Sequence, residues 1–182
     1  MKKLVSGLAI VIVALGLLAT GCSCESCESC DQATANKELV SNAMDVIVAG
    51  EFDRMEEFFA TDFKRHSQSS PIQEMTNLDQ FRDWLVADRA SFPDGRIEVD
   101  VIVAEGDKVA MYARWIATQK GPMGPFPASG KQMSLQFGGV HRIENGKIAE
   151  TWVTWDNMSS LVQLGHMPPM AFEPPGEPVI EE

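Results

Sequence analysis

The sequence predicts an α+β domain whose helices come first and are then wrapped by a curved antiparallel sheet. Three observations carry this expectation. Apolar residues repeat at helical spacing from Thr34 to Phe92, whereas from Arg96 onward the period is two. The period-two runs are joined by turns rich in Gly and Asn, the usual connection between antiparallel neighbours. Helices grouped before strands, rather than alternating with them, mark the α+β class.

Thr34 is placed to cap the first helix. Leu39, Val40, Ala43, Met44 and Ile47 share one of its faces, and Gly50 supplies the stop. The following "EFDRMEEFFATDF" reads as a second, shorter helix. Thr76 or Asn77 caps "LDQFRDWLVADRASF", where Leu78, Phe81 and Leu85 line one face with Trp84 and Phe92 beside it. Pro93-Asp94-Gly95 ends that helix.

Strands follow. "RIEVDVIVA", from Arg96 to Ala104, alternates so that Ile97, Val99 and Val101 face one way. Glu105-Gly106-Asp107-Lys108 turns the chain and "VAMYARWIATQ" returns. The loop "KGPMGPFPASGK" leads into "QMSLQFGGVHRI". Glu144-Asn145-Gly146-Lys147 predicts a type I′ hairpin, since Asn-Gly accepts the positive φ angles that this turn needs. "IAETWVTWD" is the fourth strand, and the short helix "NMSSLVQLG" closes the domain.

Both ends of the chain differ in composition from this domain, which spans 34–165. Met1-Lys2-Lys3 is followed by an uncharged run from Leu4 to Ala19, the basic start and apolar stretch of a secretory signal over residues 1–21. The run is shorter than the ~20 residues of a spanning helix. Its exit, Leu18-Ala19-Thr20-Gly21-Cys22, resembles the lipobox of bacterial lipoproteins. That resemblance implies cleavage before Cys22, lipidation of its sulfur and a cell-envelope location, on the periplasmic face of the outer membrane in a cell that has one. An ordinary cleaved signal is the alternative. At the other end, 166–182 is rich in Pro and Glu without periodicity and reads as a disordered tail.

All four cysteines lie between Cys22 and Cys30. With Cys22 lipidated, Cys24, Cys27 and Cys30 keep the C-x2-C-x2-C spacing of a ferredoxin run but lack its fourth ligand. No metal or other cofactor is expected, and 22–33 reads as a Cys-rich polar tether with nothing apolar to fold around. The chain carries 15 basic against 26 acidic side chains, a formal net charge of −11. Loss of Lys2 and Lys3 with the leader makes it more negative still. Such a surface repels phosphate backbones and anionic lipid alike, so no nucleic-acid partner is expected and the membrane is reached only through the N-terminal lipid.

"FPDGRIEVDVIVAEGDKVAMYARWIATQ", "FPASGK", "HRIENGKIAETWVTWD" and "LVQLG" resemble the SnoaL-like polyketide cyclases of the nuclear transport factor 2 superfamily. The likeness runs from Lys37 to Gly165. It implies a cone of helices and curved sheet around an apolar pocket, with acid/base chemistry that uses no cofactor. The family's acid/base aspartate on the last strand falls on Val153, and its glutamine and histidine helpers fall on Phe137 and Gly139.

Valine carries no proton, so any chemistry must reside elsewhere. By the same resemblance His66, ending "DFKRH", sits at the pocket mouth and is the candidate catalytic acid/base; a structural surface histidine is the alternative. Strand parity turns Phe137, Gly139, Thr151, Val153 and Trp155 inward. His141 shares that parity, although its place near a hairpin end also fits exposure to solvent. Trp84 and Trp115 complete the expected pocket lining as large apolar groups. Glu150 has the opposite parity, and Asp156 is accounted for as the cap of the last helix.

Three functional classes follow. One is a lipid-anchored module that binds a small hydrophobic molecule. The second is an enzyme of cyclase, isomerase, dehydratase or hydrolase type using a histidine. The third is an interaction domain forming a homodimer through its sheet.

Overall fold

The computed structural model describes residues 25–169. The leader at 1–21, the lipidation candidate Cys22 and tail residues 170–182 lie outside the described residues. The described elements are α1 (Glu25–Ala49), β1 (Phe59–His66), β2 (Glu74–Met75), α2 (Leu78–Ser91), β3 (Arg96–Glu105), β4 (Lys108–Thr118), β5 (Gln132–Glu144), β6 (Lys147–Trp155) and α3 (Asn157–Leu164). A 3-10 turn over Phe52–Glu57 links α1 to β1. The strands form one mixed sheet in the order β2-β1-β6-β5-β4-β3. Register irregularities in β1, β3 and β5 bend it, and the helices pack against it, giving the expected α+β cone.

The N-terminal half corrects the sequence reading twice. First, α1 begins at Glu25, not at Thr34, so it reaches back into the segment read as tether. The Thr34 hydroxyl donates to the Cys30 carbonyl one turn earlier at 3.0 Å, a contact inside the helix and not a cap. Ser29, Cys30 and Asp31 are exposed there, in keeping with their polarity.

Second, "FATDFKRH" is a strand. Phe59 and Phe63 lie four apart, as on a helix, and both are buried with ring centroids 5.1 Å apart. A register irregularity between Phe59 and Lys64 lets an extended chain bury both. β1 then runs parallel to β6, pairing Arg65 with Thr151 and His66 with Trp152. The sheet therefore has six strands and one parallel pair where four antiparallel strands were expected.

The remaining connections follow their local chemistry. Asn77 caps α2 by accepting from Gln80 N at 3.0 Å. Asn145 and Gly146 adopt φ of 51° and 72° in the β5–β6 turn. Asp156 caps α3 by accepting from Met158 N and Ser159 N at 2.9 and 3.1 Å. In β3 a bulge at Asp100 separates the Val99–Ala113 pair from Val101–Tyr112. Val101 consequently turns outward while Ile102 and Ala104 pack on the core, so the expected common face of Ile97, Val99 and Val101 is broken.

Two apolar clusters result. Val40, Ala43, Phe59, Phe63, Phe81 and Leu85 belong to the larger, between helices and β1. Phe92, Ala117, Met133, Leu135 and Leu164 form the second, under α3.

Candidate functional site

A cavity of about 820 Å³ spans both clusters, with Phe81 and Leu85 of the first and Phe92, Met133 and Leu135 of the second on its wall. Exposed lining residues form its rim: Gln68 and Pro71 after β1, Gly124 and Pro125 in the β4–β5 loop, and Asn157 at the start of α3. That loop is held by buried Gln119, which donates to the Pro127 carbonyl at 3.1 Å and pairs with His166 Nε2 at 2.7 Å.

The structure places Phe137, Gly139 and His141 of β5 on the cavity wall, with Thr151, Val153 and Trp155 of β6 beside them. Trp84 and Trp115 line it from α2 and β4. Gly139 pairs with Val153 and Phe137 with Trp155, so this part of the wall is apolar.

His66 is not on this wall. β1 alternates, and the residue it turns inward is Arg65. His66 lies on the outer face, stacked on Trp152 with centroids 5.4 Å apart. Its Nε2 meets Glu150 Oε1 at 2.9 Å and its Nδ1 contacts Glu74. Arg142 Nε donates to the other Glu150 oxygen at 3.0 Å. This is a polar clamp across β2, β1, β6 and β5, and it overturns the reading of His66 as the pocket's proton carrier.

His141 departs from the solvent-exposed alternative in the opposite direction. It is 4% exposed, its Nδ1 lies 2.9 Å from Thr151 Oγ1, and its Nε2 has no partner. Burial pulls its pKa down to about 4, so the ring is neutral at physiological pH.

Two cavity residues escaped the sequence reading. Arg65 is 3% exposed, and its guanidinium carbon lies 4.7 Å from the Trp84 ring centroid and 5.6 Å from that of Trp155. Its Nη1 has no hydrogen-bond partner. Burial draws its pKa down to about 10, opposed by the charge of Asp88, and it stays a cation at neutral pH. Asp88 of α2 is pushed up to about 7 by burial, opposed by Arg65. The signal for Asp88 was present in its spacing: Phe81, Leu85, Asp88 and Phe92 stand on one helical face. Arg65 likewise follows buried Phe63 by two.

Among the described residues, Arg65, Asp88 and His141 are the ionisable side chains on the cavity wall. Near neutral pH Asp88 can accept or release a proton, Arg65 can donate to an oxygen, and neutral His141 can do either at Nε2. Among the described residues no group of three or more His, Cys, Asp or Glu is arranged to hold a metal.

The SnoaL-like polyketide cyclase family model matches residues 37–164. The chain belongs to the SnoaL-like family. Among solved structures it resembles AclR, a candidate hydroxylase from Streptomyces galilaeus, at 23% identity and a TM-score of 0.67, covering 76% of this chain and 86% of that one. A candidate SnoaL-like polyketide cyclase from Jannaschia sp. CCS1 matches at 22% identity and a TM-score of 0.68, covering 75% and 95%. An epoxide hydrolase of M. tuberculosis, LEH-like, matches at 12% identity and a TM-score of 0.59, covering 73% and 91%. No curated protein matches. At these identities the structures establish the fold, which this SnoaL-like domain shares with proteins named for different reactions.

Proposed function

We propose that this SnoaL-like domain binds a small, largely apolar molecule in its cavity and is held at the cell envelope by a lipid on Cys22. The observation that carries the binding reading is the cavity itself: about 820 Å³ and walled mainly by aromatic and aliphatic side chains. Taking apolar ligand surface out of water there contributes roughly 25 cal/mol per Å² before ordering costs. Thermal shift with small esters, lactones and polyketide-like ketones tests it, alongside Val153→Trp to fill the space. Stabilisation of the wild type that the filled variant lacks supports binding. No stabilisation by any of these compounds counts against it.

A second reading, catalysis, is favoured by Asp88. A carboxyl group pushed up to about 7 beside a cationic Arg65 suits proton transfer to or from a bound carbonyl compound. Turnover of a hit that disappears in Asp88→Asn while binding persists would establish it. A further reading, a homodimer, rests on the outer sheet face, where Val101, Val103, Tyr112 and Trp152 are exposed; sedimentation of the wild type against Tyr112→Glu decides it.

The lipid anchor rests on the lipobox-like exit and is tested by palmitate labelling. Incorporation should vanish in Cys22→Ala, and equal labelling of mutant and wild type would remove the proposal.

A further inference from the structure

We infer that the cavity selects an apolar molecule ending in a carboxylate, which Arg65 binds with Asp88 on the same cavity wall. This deepens the small-ligand reading and rests on it.

The argument begins with an incompletely compensated buried cation. Arg65 is held between aromatic rings, so most of its surroundings are apolar side chains. Its Nη1 meets no acceptor, and Asp88 acts on it through space without a hydrogen bond to it. A buried guanidinium without a close anion is costly, and ring faces repay only part of that cost. Its planar fork is shaped for a carboxylate, which it holds with paired charge-assisted hydrogen bonds.

A second observation lies across the sheet. Arg65, Thr151 and His141 stand side by side on β1, β6 and β5, paired in register. His141 Nε2 is also buried and unpartnered. Gly139, beside it, leaves the approach open: a Cβ there would sit 3.5 Å from that nitrogen. The polar wall therefore offers a donor at Arg65 and an unpartnered ring nitrogen at His141, separated by one hydroxyl-bearing residue, beside apolar lining.

A ligand carboxylate placed at Arg65 faces Asp88 from α2. Two carboxylates in one site do not both stay charged, so Asp88 keeps its proton and turns from repelling neighbour into donor. The proton comes from solvent and no covalent bond changes. Among the described residues, Arg65 from β1, Asp88 from α2 and His141 from β5 are the ionisable groups facing this space, and α1, β3, β4, β6 and the β4–β5 loop contribute none to the wall. With Arg65 charged and His141 neutral throughout the neutral range, Asp88 alone sets the pH dependence of binding.

The test uses the folded protein with decanoate, decanol and methyl decanoate as competitors of a fluorescent apolar probe. In the wild type at about pH 6, decanoate should displace the probe at roughly tenfold lower concentration than decanol, and the advantage should shrink by about pH 8 as Asp88 loses its proton. Arg65→Met should bind decanol as before and lose the preference for decanoate. Equal displacement by all three in the wild type, or a preference that survives Arg65→Met, overturns the inference while leaving the apolar pocket intact. Failure of the probe and all three compounds to bind removes the pocket reading and the inference together. Should Arg65→Met fail to fold, by circular dichroism, Asp88→Asn decides: decanoate preference retained with a flat pH profile supports the inference, and an unchanged pH profile overturns it.

Discussion

His141 and Thr151 face each other across β5 and β6, Nδ1 to Oγ1 at 2.9 Å, and burial keeps the imidazole neutral down to about pH 4. Unfolding returns the ring to its ordinary value of 6.5, so between those values the unfolded chain binds the extra proton. His141 therefore contributes stability that is present above pH 6.5 and lost as pH falls towards about 4. Asp88 acts with the opposite sign. Its pKa rises from 3.8 to about 7 on folding, so the folded state binds more protons across that window, and its contribution is lost as pH rises through about 7. The two slopes oppose each other over the shared range. Chemical denaturation at stepped pH should show the wild type nearly level there, Asp88→Asn growing more stable with rising pH, and His141→Gln growing less stable. Parallel profiles for the three proteins would contradict the burial of both groups.

The β4–β5 loop makes its own prediction through Gly121. A Cβ at this position would lie 2.7 Å from the Ala90 carbonyl oxygen and 3.0 Å from the Ser91 Cα, both backbone atoms. The close approach serves two hydrogen bonds, from Lys120 N and Gly121 N to the Ser91 carbonyl at 2.9 and 3.1 Å. Gly121→Ala must push the loop off the end of α2. Urea unfolding should register a loss of about 1–3 kcal/mol, the range for overpacking against rigid neighbours. Gly124, whose Cβ would meet nothing, sits at a φ of 54° and would be strained for that reason alone.

The caps of α2 and α3 and the four strands from β3 to β6 were legible because each rests on local chemistry: alternation, an Asn-Gly turn, an aspartate before a helix. β1 was not, because Phe59 and Phe63 repeat at a helical interval and the strand is defined by its partner β6, nearly ninety residues later in the chain. The site depends on that strand: parity on β1 turns Arg65 into the cavity and His66 out of it, whereas the resemblance alone sets His66 at the pocket mouth. Asp88 was missed for a different reason. A single aspartate on an amphipathic helix usually marks the solvated face, and only the cavity beneath α2 makes its spacing from Phe81 and Leu85 informative.

The cysteines invite a direct check of how far the ordered domain reaches. α1 includes Cys27 and Cys30, and Cys30 is exposed and free. Apolar packing on this helix begins only at Leu39 and Val40. Replacing Cys24, Cys27 and Cys30 together by serine should leave the melting temperature within a few degrees of the wild type, since surface changes remote from packing typically stay within about 0.5 kcal/mol. A larger drop would assign the N-terminal turns of α1 a share in stability that their polarity does not suggest.

The clamp on the outer sheet face gives the last prediction. His66 joins Glu74 of β2 and Glu150 of β6, and Trp152 covers one face of its ring. β2 has only two residues, paired to β1 through Arg65–Met75 and His66–Glu74, so the side-chain contact reinforces a very short ladder. His66→Ala removes the ring and leaves Glu150 with Arg142 as its remaining partner. The substitution should cost about 1 kcal/mol in unfolding experiments, as expected for hydrogen bonds to charged groups near the surface. It should leave displacement of an apolar probe from the cavity within about twofold of wild type, because the two faces of the sheet share no polar contact through this residue. Loss of probe binding in a well-folded His66→Ala protein would return His66 to the pocket and reverse the parity assigned to β1.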